Sequence, residues 1–367
     1  MPKLKPNAYN YTLTVTLSII LFLGLILLTS ASQVIGFDKY NDPYWYLKHQ
    51  MFFGVLPGLL FFIVASNIPY RFWKKIALPL YAISIILLIL VFVPPIGLAY
   101  GGAHRWLDLK FFSIQPAEIA KITTIIFFSA WFAQKKKQLN SFYYTFLPFI
   151  ALNGIIVCLI ALQPDIGTLS VILLTTLSIY FLAGIKILHI ASLALMMGIV
   201  FVLLIFAAPY RLERIATYFN KNSDIQGASY QLNQSLIAIG SGGIWGLGLG
   251  QSKQKYQYLP EVIGDSIFAV IGEELGFILT SSFVALYLFL IFTGYRIAAQ
   301  CKDNFGKFLA TGISAWIGYQ AFINMSAMVG ILPLTGLPLP FISYGSSALI
   351  TIMTAVGILN NIGKIRV

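Results

Sequence analysis

A polytopic bundle of transmembrane helices is the fold class this sequence predicts, and three observations predict it. Hydrophobic residues make up 58% of the 367 residues and charged residues only 10%, far from the averages of soluble domains. Apolar runs close to the roughly 17–25 residues that cross a bilayer as a helix recur along the whole chain. Strands of alternating polar and apolar residues are absent from the reading, which argues against a β-barrel and leaves an all-α bundle. Ten runs are predicted as spans: 13–31, 49–68, 76–97, 115–134, 142–162, 167–184, 187–208, 266–293, 308–332 and 341–362. No separate soluble domain is expected, so residues 1–367 read as one integral-membrane domain with a large loop at 209–265.

The first run follows Lys3 and Lys5 and ends near Ser30-Ala31-Ser32, which faintly resembles a signal cleavage site. Its apolar stretch of about 18 residues exceeds the usual signal core of about 7–15, so an uncleaved first helix is expected. Orientation follows from the turns between the later runs. With the N-terminus inside, the cytoplasmic segments hold Lys3, Lys5, Arg71, Lys74, Lys75, Lys135, Lys136, Lys137, Lys186, Arg296, Lys302, Lys307, Lys364 and Arg366, and the acid Asp303 alone joins them. That is the positive-inside pattern, and an even number of spans returns the C-terminus to the cytoplasm.

The formal charge of +12 therefore needs no nucleic acid to explain it; topology and anionic headgroups account for it. Cys158 lies within a predicted span and Cys301 in a turn, so no disulfide is expected. His49, His104 and His189 are scattered without metal-ligand spacing, which argues against a structural zinc site.

Charges placed against the topological bias carry the functional signal. Arg105, Lys110, Lys121, Arg211, Arg214, Lys221, Lys253 and Lys255 fall on the predicted outer side or within spans, together with every acid except Asp303. Outward-facing basic groups suit a phosphate or diphosphate at headgroup level. In the stretch Gly101 to Lys121, Glu118 and Lys121 are three apart and can pair on one helix face. A structural ion pair and a site role stand level for Glu118. Arg105, beside Trp106, reads as a headgroup contact or as interfacial anchoring. In L-Q-P-D-I-G-T, residues 162–168, Asp165 reads first as an N-cap.

In the large loop, Arg211 and Arg214 share a side if helical. Gly246-x-Gly248-x-Gly250 is superficially similar to a dinucleotide fingerprint, but no strand precedes it. Glycine there suits close backbone approach to a helix or a bulky substrate. Asp265 closes the loop at a membrane entry, where an ionisable group is costly and by default functional. Two readings stand side by side: an N-cap of the following helix, and a general base at the interface. Glu273 and Glu274 lie about 12 Å deeper on a regular helix and read as organisers of the interior.

These motifs carry a resemblance. G-A-H-R-W-L-D-L, I-Q-P-A-E-I-A-K, Q-P-D-I-G-T, Y-Q-L-N-Q-S-L-I-A-I-G-S-G-G, Y-L-P-E-V-I-G-D-S-I-F-A-V-I-G-E-E-L-G and G-I-L-P-L-T-G-L-P-L-P-F-I-S-Y-G-S-S run in order from Gly101 to Ser347. With them the chain resembles the SEDS family (shape, elongation, division and sporulation), the bacterial FtsW/RodA/SpoVE proteins. The phrase S-L-I-A-I-G-S-G-G…Q-K-Y-Q-Y-L-P-E favours the division-type, FtsW-like branch.

The resemblance implies a peptidoglycan glycosyltransferase that polymerises lipid II at the outer face of the bacterial plasma membrane, with ten spans. It places the essential acid on Asp265, as the general base of an inverting displacement. Candidates to bind substrate are Arg105, Glu118, Lys121, Arg211, Arg214, Gln231, Ser235, Lys255 and Glu261. No cofactor is firmly implied; a divalent cation (Mg2+ or Mn2+) fits the diphosphate chemistry, but no metal cage is recognisable. A class B penicillin-binding transpeptidase and other divisome or elongasome membrane proteins are the implied partners. A lipid II flippase and a non-catalytic scaffold are the alternative functions. One departure stands out: Gly264 and Ser266 flank the acid, where the family usually has Thr and Phe.

Overall fold

The computed structural model describes residues 8–100, 103–108, 110, 113–135, 139, 141–206 and 228–364. Helices dominate: α1 Ala8–Tyr40, α2 Trp45–Asn67, α3 Arg71–Lys75, α4 Ala77–Leu90, α5 Pro116–Gln134, α6 Phe142–Leu162, α7 Ile166–Leu182, α8 Ile187–Phe206, α9 Ala228–Gly242, α10 Ile267–Gln300, α11 Asn304–Met328 and α12 Ser346–Lys364. Among the described residues, α1, α2, α6, α10 and α12 are long and apolar enough to cross a membrane. Each of the ten apolar runs of the sequence overlaps one of these helices.

Local chemistry explains the boundaries. Asp165 caps α7, its side chain accepting from the Thr168 N–H at 3.0 Å, as its position before Ile166 predicts. Asp303 caps α11 in the same way, through the Gly306 N–H. Two expected spans are shorter than the apolar runs that suggested them. The helix in 76–97 stops at Leu90, ahead of Pro94 and Pro95, which cannot continue it. The helix in 341–362 begins only at Ser346, because Phe341 has φ +68° and the prolines at 338 and 340 hold the chain extended before it.

The expectation of no strands is corrected between α4 and α5. A small antiparallel sheet forms there from β1 Gly97–Tyr100, β2 Ala103–Asp108 and β3 Ser113–Ile114, in the order β1-β2-β3. Its strands are two to six residues long, too short to leave an alternating signature in sequence.

The core is built around α11, which packs against α5, α7, α10 and α12. Small residues such as Ala310, Thr311, Ser314 and Ala315 are buried on it, and small side chains let membrane helices approach closely. Trp316 is fully buried at its middle.

The loop expected at 209–265 is not an open loop where it is described. Residues 228–242 form α9, which packs along α10, and the chain then inserts into α10 itself. At Gly276 that helix breaks, with φ 71° and ψ −177°. The two helical hydrogen bonds lost are those from Phe277 and Ile278 to the carbonyls of Glu273 and Glu274. The incoming loop replaces both. Leu247 and Gly248 donate to the Glu273 and Glu274 carbonyls at 3.0 Å each, while Phe277 and Ile278 donate to Gly243 and Ile244 at 2.9 and 3.3 Å.

The same two residues then pin the loop by their side chains. Glu273 accepts from the Ser252 hydroxyl and from the backbone N–H groups of Lys253 and Gln254. Glu274 accepts from Ser30 and pairs with Lys255 at 3.1 Å. Both carboxylates are buried, which supports the reading of Glu273 and Glu274 as organisers of the interior.

A Cβ at position 276 would run into the backbone of Trp245 and Gly246, and the φ there suits glycine. Gly276→Ala is therefore expected to cost at least about 1–3 kcal/mol, read as a lower unfolding midpoint of the purified protein in detergent. Gly154→Ala, at a helical position with open space around it, serves as the control and should leave the midpoint unchanged or slightly higher.

Candidate active site

Asp265 sits half-buried at the entry to α10, and the structure separates the two readings of it. The N-cap residue of α10 is Ser266, whose own side chain makes no capping hydrogen bond. Asp265 is therefore not the cap. Its carboxylate receives the Gln231 side-chain amide of α9 on Oδ1 at 3.2 Å, and the same amide reaches the Ser266 hydroxyl at 2.9 Å.

The backbone around Asp265 is held from several directions. The Asn324 amide of α11 donates to the Asp265 carbonyl at 2.8 Å and to the Leu337 carbonyl at 2.7 Å. Ser343 donates to the Gly264 carbonyl at 2.6 Å and accepts from the Leu339 N–H at 2.7 Å. Tyr344 N–H donates to the Ile263 carbonyl, and the N–H groups of Gly264 and Ser266 fold back on the Glu261 carbonyl. Residues 261–266 and 337–344 thus form one interlocked irregular layer, clamped by α11. Gly264 and Ser266, the two neighbours of Asp265, are part of that layer through their backbones.

Behind this layer lies the ion pair predicted from spacing. Lys121 and Glu118 meet at 2.7 Å, with side chains 1% and 2% exposed. Lys121 also donates to Gln320 at 2.8 Å and lies over the Trp316 ring. Trp316 donates to the same Gln320 oxygen, and Gln320 passes its amide to the Pro338 carbonyl. Trp316, Gln320 and Asn324 are spaced four apart, so they line one face of α11. That face connects the ion pair on α5 to the layer carrying Asp265. The second oxygen of Glu118 has no hydrogen-bond partner, and Glu118 shares a small cavity with Gln320 and Ser343.

The remaining candidates fall apart into different places. Ser235 is buried and bonds back to the Gln231 carbonyl, supporting α9 beneath the Asp265 contact. Glu261 is exposed, with φ +49°, and contributes its carbonyl to the layer. Arg105 on β2 donates to the Gln163 and Pro164 carbonyls at the α6–α7 turn, so it ties the sheet to that turn. Arg211 and Arg214 lie outside the described residues.

Lys255 requires a correction. Expected to face a diphosphate, it is 1% exposed and bonded to Glu274, Ser30 and the Gly250 carbonyl. An ammonium has three protons to donate, and these three acceptors match them. Asn324, Gln320 and Ser343 are the site residues the sequence reading missed. Ser343 stood inside a quoted motif, and Gln320 and Asn324 are polar residues four apart in an apolar run. That spacing was the available signal.

Comparison with known proteins decides the family. The family described as cell cycle protein, FtsW/RodA/SpoVE, matches residues 10–366. The chain belongs to this family. It is 38% identical to stage V sporulation protein E of Bacillus subtilis (strain 168), over 98% of both chains. It is 36% identical to a probable peptidoglycan glycosyltransferase FtsW of Geobacter sp. (strain M18), over 97% of both. Among solved structures, a chain of a peptidoglycan synthase complex superposes with a TM-score of 0.77 at 25% identity, covering 97% of this chain and 98% of that one. The rod shape determining protein RodA of Thermus thermophilus superposes with a TM-score of 0.71 at 25% identity, covering 98% of each.

Removing one member of a buried ion pair strands the other charge and typically costs about 3–5 kcal/mol. Lys121→Met is expected to lower unfolding stability by that order. Adding Glu118→Gln to it should recover part of the loss, as read by denaturant titration of the two variants.

Proposed function

We propose that this chain is a peptidoglycan glycosyltransferase that polymerises lipid II into glycan strands, with Asp265 as its general base. The observation that carries the proposal is the setting of that carboxylate. It is half-buried at the mouth of α10, its backbone is clamped from α11 and from residues 337–344, and the amide of Gln231 orients it. The relatives named as probable peptidoglycan glycosyltransferases support the same reaction.

In this reaction Asp265 takes the proton from a sugar hydroxyl of the acceptor as its oxygen bonds to the anomeric carbon of the donor. The bond from that carbon to the lipid diphosphate breaks, and the diphosphate leaves with the electron pair. Direct displacement inverts an α-linked donor into a β-linked product and needs one base with no covalent enzyme intermediate. Of the cations proposed for the diphosphate, Lys121 and Lys255 are committed to buried carboxylates. Arg105, Arg211 and Arg214 then carry that role, with two donors of Arg105 already engaged at the α6–α7 turn. Among the described residues no cluster of His, Cys, Asp and Glu is arranged to hold a metal ion.

Ten crossings of the plasma membrane, with both termini cytoplasmic, fit the ten helix-bearing apolar runs and the basic residues in the turns that would face inward. Residues 209–265 and Asp265 then lie outside, where lipid-linked donor and acceptor meet. A class B penicillin-binding transpeptidase is the proposed partner, consistent with a structural neighbour drawn from a peptidoglycan synthase complex.

Purified protein given labelled lipid II tests the reading. Asp265→Asn keeps size and loses basicity, so polymerisation should fall by about 10²–10⁴-fold with the unfolding midpoint retained. Undiminished glycan synthesis by that variant would remove Asp265 as the base. Lipid translocation without polymerisation in the wild type would favour a transporter, and neither activity a scaffold.

A further inference from the structure

We propose that residues 244–249 form a lipid-inserted loop, seated in the leaflet on the Asp265 side of the membrane. Every side chain between Gly242 and Lys253 is uncharged, and the stretch I-W-G-L-G-L at its centre is wholly apolar. Yet these side chains are not packed inward: Ile244 is 61% exposed, Trp245 80% and Leu249 56%. A soluble loop with this surface would present a contiguous apolar patch to water.

Depth is set by where the loop is bonded. Its backbone replaces the α10 hydrogen bonds lost at Gly276, so it sits at the height of residues 273–278. From Phe277 to Arg296, α10 runs about 20 residues, or about 30 Å, the thickness of a bilayer's hydrocarbon core. Arg296 marks the far end, its guanidinium stacked over Phe292. The break at Gly276 therefore falls at the near edge of the hydrocarbon, where tryptophan is enriched in membrane proteins.

Two further observations select lipid over a protein as the occupant. The loop is bonded to α10 at Phe277 and Ile278, where Phe277, Ile278 and Leu279 are themselves exposed apolar side chains, as Phe289 is farther down, on a helix read as a membrane span. Irregular backbone is tolerated at hydrocarbon depth only if its polar groups are paired. Here Gly246, Leu247 and Gly248 donate to Gly242, Glu273 and Glu274, while the carbonyls of Gly243 and Ile244 accept from Phe277 and Ile278. Lys253, exposed just past the apolar stretch, has the length to reach headgroups from this position.

The test places spin labels on single cysteines at Trp245 and Leu249 in the full chain, with Cys158 and Cys301 replaced by alanine, in lipid nanodiscs. Labels at Phe289 and Lys39 give the lipid and water references. Collisions with molecular oxygen should dominate over those with a water-soluble nickel chelate at 245 and 249, at a depth shallower than at 289. Nickel-dominated collisions like those at Lys39 would overturn the proposal in favour of a water-exposed loop. Protection from both reagents would overturn it in favour of a second copy or a protein partner covering the face.

Discussion

Backbone N–H and C=O groups cannot be left unpaired in hydrocarbon, and the rest of this structure depends on how its irregular segments meet that constraint. Where α10 breaks at Gly276, the loop from Gly243 to Gly248 takes over the two lost hydrogen bonds one for one. Where the chain is irregular before α12, residues 337–344 pair with Ile263 and Gly264 and with the side chains of Gln320 and Asn324. Each irregular segment is affordable because another part of the chain completes it.

That arrangement turns a structural requirement into a positioning device. Asp265 lies between the two irregular segments, with its carbonyl held by Asn324 and the carbonyls of its two preceding residues held by Ser343 and Tyr344. The buried groups that could have served as charge clamps do something else. Glu273 and Glu274 gather hydroxyl, amide and ammonium donors to fasten the loop, and Lys121 with Glu118 braces the polar face of α11. With its backbone held from α11 and the residue before it held by Ser343, Asp265 presents its carboxylate at a fixed place, and fixed placement is what a general base requires.

Much of this was legible in the sequence, for physical reasons that also explain what was not. The apolar runs located the helices because membrane-buried helices are apolar around their circumference. Glu118 and Lys121 were found because three-residue spacing is a local helical property, and Asp165 because a cap acts on its own next turn. The small sheet at Gly97–Ile114 escaped because two-to-six-residue strands show no periodicity. Lys255 was misjudged since its partners, Ser30 and Glu274, are brought to it by tertiary folding. Asp265 could not be told from a cap by position alone; the distinction rests on where its side chain points once α9 packs alongside. Gly246 and Gly276 were different again: the reading anticipated close backbone approach at the glycine run, but not that the partner would be a gap in another helix.

Asn324 of α11 holds the Asp265 carbonyl, and the proposed role of Asp265 as base depends on that placement. The most direct measurement is the turnover of Asn324→Ala on labelled lipid II, with Asp265 intact and folding checked by the unfolding midpoint. A displacement of about 1 Å can cost on the order of 10²-fold in rate. Turnover should fall about ten- to a hundredfold in a protein that remains folded. Wild-type turnover in Asn324→Ala would contradict that dependence.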